Sequence, residues 1–294
     1  MHSGRDSCVR LSMRIRRIWP EMIGSVGKML TILLSHERSG SHFVGSFLAS
    51  LPRIAMVDEV CNPHAMPPRS SELSFFRYKH ERFVADDDLI LNPNLAKHEQ
   101  FIVGFFERLR NYAPKSHVVV DIKYGHVPLF EGVWWPILSR PYLFKFCESQ
   151  GISIIHLHRG SVISAVISQM VSQQRRLWHS WQHDADKTRN QKHELNPARV
   201  VAEAKMLREQ IDFVRNRWMG GVRHLDITYE DVNGTIGTFG DIDHKIASFL
   251  DRKPEKPFSS RYEKLISSPA AVVVNYSEVI SACIEAGLED PIIS

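Results

Sequence analysis

The residue types best suited to hold an anion fall in one short run, His36-Glu37-Arg38-Ser39-Gly40-Ser41-His42-Phe43. It joins the apolar stretch Leu30–Ser35 to an apolar segment of helical character, roughly Phe43–Leu51. A glycine-containing turn entering a helix offers backbone N–H groups and the positive end of the helix dipole to a negative ligand. Gly40 permits close approach of backbone to that ligand. Ser39 and Ser41 add hydroxyl donors and Arg38 a permanent cation. The run lacks G-x-x-x-x-G-K-[ST], so the lysine that an ATP-using phosphate loop employs is missing from it. Taken alone, the same run also suits an ordinary Ser/Gly turn at a helix start.

Arg38-Ser39-Gly40-Ser41 after a first strand resembles the 5′-phosphosulfate loop, [KR]-S-G-[ST]-T, of sulfotransferases that use 3′-phosphoadenosine 5′-phosphosulfate (PAPS). A second element agrees. His156-Leu157-His158-Arg159 closes a strand and Ser168 lies in the following segment. This is similar to the family's 3′-phosphate motif, in which a strand-terminal Arg and a helix Ser hold that phosphate. The Pro and Asp of R-x-P-x-D-x-x-x-S are absent here, and the longer spacing from Arg159 to Ser168 is closer to bacterial glycolipid-type members. Ser161 and Ser164 compete for the role of Ser168. His42 stands where the family usually has Thr and Phe43 where Trp is frequent; Phe43 also suits the core. Tyr229-Glu230-Asp231 is similar to a recurrent YED element, read as structural. Arg261–Leu265 and Asn275–Val279 resemble a C-terminal segment in which Arg261 or Lys264 would close over the cofactor. The resemblance spans about residues 29–287 and implies PAPS as sulfuryl donor, PAP as product and a carbohydrate or glycolipid hydroxyl as acceptor. It implies cofactor contacts from Arg38, Ser39, Gly40, Ser41, His42, Phe43, Arg159 and Ser168.

Sulfuryl transfer requires in-line placement, neutralisation of the leaving phosphate and help for the attacking hydroxyl. Arg38 and the loop amides meet the first charge demand. An alcohol also needs a base. Glu59, after a second short strand, occupies the place where glycan enzymes of the family often carry a catalytic Glu. His126, in Lys123-Tyr124-Gly125-His126-Val127-Pro128, is reminiscent of the K-x-H-x-P stretch of cytosolic members. Asp58 is a further alternative, and Lys123 suits the bridging or sulfuryl oxygens. The scheme requires no metal, and the sequence offers no convincing metal cluster. Trp134 and Trp135 read as core packing, whereas Trp178 and Trp181 divide between packing and stacking on sugar faces.

These residues need a frame of strands. Ile54–Val57, His117–Lys123, Ile152–His158 and Val222–Thr228 join Leu30–Ser35 as short apolar runs, separated by segments of helical period. That alternation predicts an α/β domain: a P-loop-NTPase-like three-layer fold with a central parallel sheet of about five strands flanked by helices. Helices are expected over Lys97–Tyr112, Ser161–Leu177, Ala198–Trp218, Phe239–Leu250 and Tyr276–Ala286. Residues 71–96, mixed and charged, read as a surface insertion, and Gln173–Asn196 as a polar loop of the kind that sets acceptor specificity.

Bulk properties narrow the class further. A net charge of +4 over 294 residues suits an anionic ligand and is too small to indicate nucleic acid. Cys8, Cys61, Cys147 and Cys283 form neither a CxxC pair nor a zinc spacing, which predicts reduced thiols in a cytoplasmic protein. No apolar run has the length of a transmembrane segment. Residues 1–28, with Arg5, Arg10, Arg14, Arg16, Arg17 and Lys28, read as a basic disordered extension before a single domain over 29–294. Two rivals to the sulfotransferase remain: a nucleotide-dependent small-molecule kinase, and a non-catalytic nucleotide-binding protein of the same fold.

Overall fold

The computed structural model describes residues 29–62, 71–87, 94–113, 116–132, 139–175, 191–233, 240–253 and 269–288. Five strands form one parallel sheet: β1 (Leu30–Ser35), β2 (Ile54–Val57), β3 (His117–Lys123), β4 (Ser153–His158) and β5 (His224–Thr228), in the order β2-β3-β1-β4-β5. The three central strands are β-branched or leucine-rich, and β1 and β3 are buried along their whole length. Such continuous apolar runs are what a strand covered on both faces requires.

Helices cover both faces. They are α1 (Ser41–Ser50), α2 (Phe75–Ala85), α3 (Leu95–Tyr112), α4 (Tyr142–Gln150), α5 (Val162–Arg175), α6 (Pro197–Phe213), α7 (Asp241–Phe249) and α8 (Tyr276–Glu285). Alternation along the strands sorts the core. Ile32, Leu34, Val118, Val120, Ile122 and Ile154 pack with α2, α3 and α4 on one face. Leu33, Val119, Ile155, Leu157 and Ile227 pack with α1 and α7 on the other. Helices α5, α6 and α8 share a third apolar cluster. The three-layer α/β expectation holds. Among the described residues no helix is long and apolar enough to cross a membrane.

Within the expected surface insertion of residues 71–96, the described residues 71–87 depart from that reading. Phe75 and Tyr78 of α2 are buried, and Phe75 meets Phe101, Phe105 and Phe130 edge-on or tilted at 5.1–5.8 Å between ring centres. One apolar stripe on a helix is enough to dock it, however charged its outer face. The end of α6 departs too: Val214–Trp218 forms a π turn where a continuous α-helix was expected.

Strand order fixes where a ligand can sit. The chain leaves β1 towards β2 on one side, and leaves β3 past β1 towards β4 on the other. The crevice at such a reversal opens beyond the carboxyl ends of the strands. There Ser35 lies level with Lys123 on one side and Leu157 on the other, so both flanking loops emerge beside the β1–α1 loop.

Candidate functional site

The β1–α1 loop turns tightly. Arg38 and Gly40 both have left-handed backbone, with φ of 60° and 87°, and Ser39 between them does not. Alternation of this kind curls successive N–H groups around a concavity that suits an anion. Gly40 is required twice over, because a Cβ there would come within 2.3 Å of the Tyr229 ring. Ser39 Oγ is buried without a hydrogen-bond partner among the described residues. A buried orphan hydroxyl in a phosphate-type loop is what a bound anionic oxygen would satisfy. Phe43 packs into the core edge-on to Tyr229, with ring centres 5.4 Å apart. Its expected place at the cofactor gives way to packing, because the first turn of α1 faces the sheet there.

Two arginines share the loop's surroundings. Arg38 reaches across to α5, its Nε and Nη2 each donating to Ser168 Oγ at 3.4 Å. Burial and the nearby charge of Arg159 both push the Arg38 pKa down. Arg159 is held on every side. Its guanidinium forms an ion pair with Glu230, Nε to Oε1 2.9 Å, and stacks 4.3 Å above the Tyr229 ring. Its backbone N–H donates to His36 Nε2 at 3.4 Å and its carbonyl accepts from His158 Nδ1 at 3.3 Å. Glu230 also accepts from the Gly160 N–H at 2.8 Å.

Ser168 therefore meets Arg38 and not Arg159, the partner that the motif resemblance implies. The α5 helix carries Ser168 on the turn that faces the β1–α1 loop, and spacing from Arg159 says nothing about that direction. Ser161 is taken up locally, accepting from the Ser164 N–H at 3.0 Å at the start of α5. The Tyr229-Glu230 pair does more than the structural part expected of it. It links Gly40 to Arg159, and the YED element was the available signal.

The candidate bases gather around Lys123. This lysine is 5% exposed and donates to both oxygens of Asp121 at 2.7–2.8 Å, to Ser35 Oγ at 3.1 Å and to Ser41 Oγ at 2.5 Å. Asp121 and Lys123 are two apart on a strand and so share a face, a signal legible in HVVVDIK. Glu59 Oε1 lies 3.8 Å from Lys123 Nζ and 3.6 Å from His42 Nε2, and its Oε2 accepts from Asn62 Nδ2 at 2.5 Å. Burial alone would raise the Glu59 pKa, but His42, Lys123 and Asn62 together hold it down at about 2. Its backbone is also left-handed, at φ 22°. Asp58 beside it is raised by burial, which outweighs the pull of His42. His126 Nδ1 accepts the Lys123 N–H at 3.2 Å, and burial lowers the ring's pKa.

Behind these groups runs a polar network. Tyr124 donates to His156 Nε2 and His156 Nδ1 donates to Asp226, each at 2.5 Å. Arg215, on the π turn, lies 3.6 Å from Asp226 and donates to His158 Nε2 at 2.8 Å. Arg261, Lys264, Trp134, Trp135, Trp178 and Trp181 lie outside the described residues. No family model matches the chain, and no curated protein matches it.

Proposed function

We propose that the chain is a sulfotransferase that moves the sulfuryl group of PAPS to a hydroxyl, releasing PAP. The observation that carries the reading is the meeting of Arg38, Ser168 and Arg159 around a left-handed glycine loop at a helix start. A guanidinium whose pKa is pushed down by burial and by a second one nearby, as that of Arg38 is beside Arg159, favours an anion of more than one charge. A nucleotide bearing phosphate groups at two positions meets that description.

In this reading Arg38 and the loop amides stabilise the 5′-phosphate as the S–O bond to it breaks and the electron pair passes to the phosphate oxygen. Arg159 holds the remote phosphate in ground and transition state alike. Lys123, fixed at Ser41, supports the loop from below. The acceptor is a carbohydrate or glycolipid hydroxyl, by resemblance to bacterial members, and reduced buried Cys61, Cys147 and Cys283 suit a cytosolic setting. Calorimetry with PAP, ADP and ATP tests the reading: PAP should bind at micromolar strength and the others far more weakly. Equal affinity for ADP and PAP would remove the role given to Arg159.

One observation favours a second reading. Lys123 Nζ reaches the first residue of α1, where a kinase's phosphate loop would carry its own lysine. Preference for ATP over PAP in the same titration would select that nucleotide-dependent kinase.

A further inference from the structure

Four groups near Lys123 have the chemistry to take a proton, among them Asp58, whose pKa burial raises, and their surroundings differ. Glu59 is clamped by Asn62 and lies within 4 Å of both His42 and Lys123. A carboxylate so held, titrating near 2, is a weak acceptor at neutral pH. His126 accepts the Lys123 N–H at Nδ1, so its neutral ring carries the proton on Nε2, which is then a donor. His42 differs from both. It lies in the first turn of α1, one residue beyond the Ser41 that receives Lys123. Its Nε2 is shielded from solvent and faces Glu59 Oε1 across 3.6 Å, while its side chain is 31% exposed.

The geometry points to His42, oriented by Glu59, as the group that takes the acceptor proton. The inference rests on the sulfotransferase reading and deepens it. At 3.6 Å the Glu59 carboxylate attracts a proton on Nε2 and so favours the tautomer whose basic nitrogen is Nδ1, and a slight approach would complete the carboxylate–imidazole pair. The acceptor O–H proton passes to His42 as the O–S bond forms. The S–O bond to the 5′-phosphate breaks with its electron pair, and His42 later returns the proton to solvent. The left-handed backbone at Glu59 accords with a carboxylate fixed by its neighbours at a working position.

Several charges act on this imidazole. Glu59 and Asp58 at the end of β2 and Asp121 on β3 raise its pKa from 6.5, against burial, which lowers it. Lys123 beside Glu59 and the positive end of α1 oppose them in sign. The neutral form is the base, so activity should rise with pH through a limb above 6.5.

The experiment needs no acceptor, because water can receive the sulfuryl group. Release of sulfate and PAP from PAPS is followed against pH for wild type, H42N, H42Q and E59Q, with PAP affinity by calorimetry and His42 followed by NMR of labelled histidine. We expect His42 to titrate with the kinetic limb, and E59Q to move both to lower pH. H42N and H42Q should lose roughly 100-fold or more in kcat, together with the limb. Wild-type rate and limb in both His42 variants would overturn the proposal. So would a rate loss in them accounted for wholly by PAP affinity, or an E59Q enzyme that loses turnover and limb together, which makes Glu59 the base. A wild-type chain that neither binds PAP nor releases sulfate overturns the function and this role with it. Turnover by wild type and His42 variants alike overturns this role alone.

Discussion

Arg38 and Arg159 lie near enough for one charge to act on the other but are held differently, and their replacements should separate in kinetics. Arg159 is braced by Glu230, Tyr229, His36 and His158, which fits a group that holds a remote phosphate throughout the reaction. Arg159→Ala should weaken PAP binding and raise KM, whereas Arg38→Ala should chiefly lower kcat, by roughly 100- to 1,000-fold. Steady-state kinetics with PAP calorimetry checks the division, and KM effects alone in both variants would refute it. Glu230→Ala should weaken PAP roughly tenfold by freeing Arg159 and the Gly160 N–H, the scale of a lost hydrogen bond to a charged group. Glu230→Gln keeps an acceptor and should recover part of that loss. Identical Kd values for the two Glu230 variants would show that no bond to Arg159 matters.

At the scale of elements, the junction of the β1–α1 loop with Tyr229 sets a steric limit. Gly40→Ala asks a left-handed residue to carry a Cβ into an aromatic ring held by Arg159 and Phe43. The backbone cost alone is about 1–2 kcal/mol, so denaturant melts should show at least that loss, with weaker PAP binding. Phe75→Ala should cost about 3–5 kcal/mol, since α2 contributes to the main core; a neutral substitution would return residues 71–87 to the surface. The strands were legible because continuous apolar runs such as HVVVDIK have one economical placement, buried on both faces. Residue Phe75 was hidden because charges on the outer face of α2 dominate its composition. Ser168 under Arg38 and Glu59 facing His42 were not legible, because contacts between distant segments depend on how helices are turned against the sheet. The loop itself could be read because its residue types suit anions wherever they point.

For the molecule as a whole, buried neutral histidines link stability to acid. Burial holds His36 down at about 3 and His117 at about 4, against 6.5 for an ordinary imidazole. The unfolded chain therefore binds protons on these rings before the folded one does, and stability should fall as pH drops from 6.5 towards 3. Glu59, depressed to about 2, adds a loss in the same direction below its unfolded value of 4.5. Thermal melts across that range should show the decline, and His36→Gln should make it shallower from pH 6.5 down to about 3. An unchanged slope in that variant would mean His36 does not carry the linkage.

The burial of Lys123 makes it a clock. An ammonium 5% exposed and bonded to Asp121, Ser35 and Ser41 meets an amine-reactive reagent only when the β1–α1 loop lifts away from β3. Exposed Lys145, Lys205 and Lys245 should be acylated first. The delay at Lys123, read by peptide mass spectrometry, then reports how often the loop opens, and a ligand that closes the loop should lengthen it.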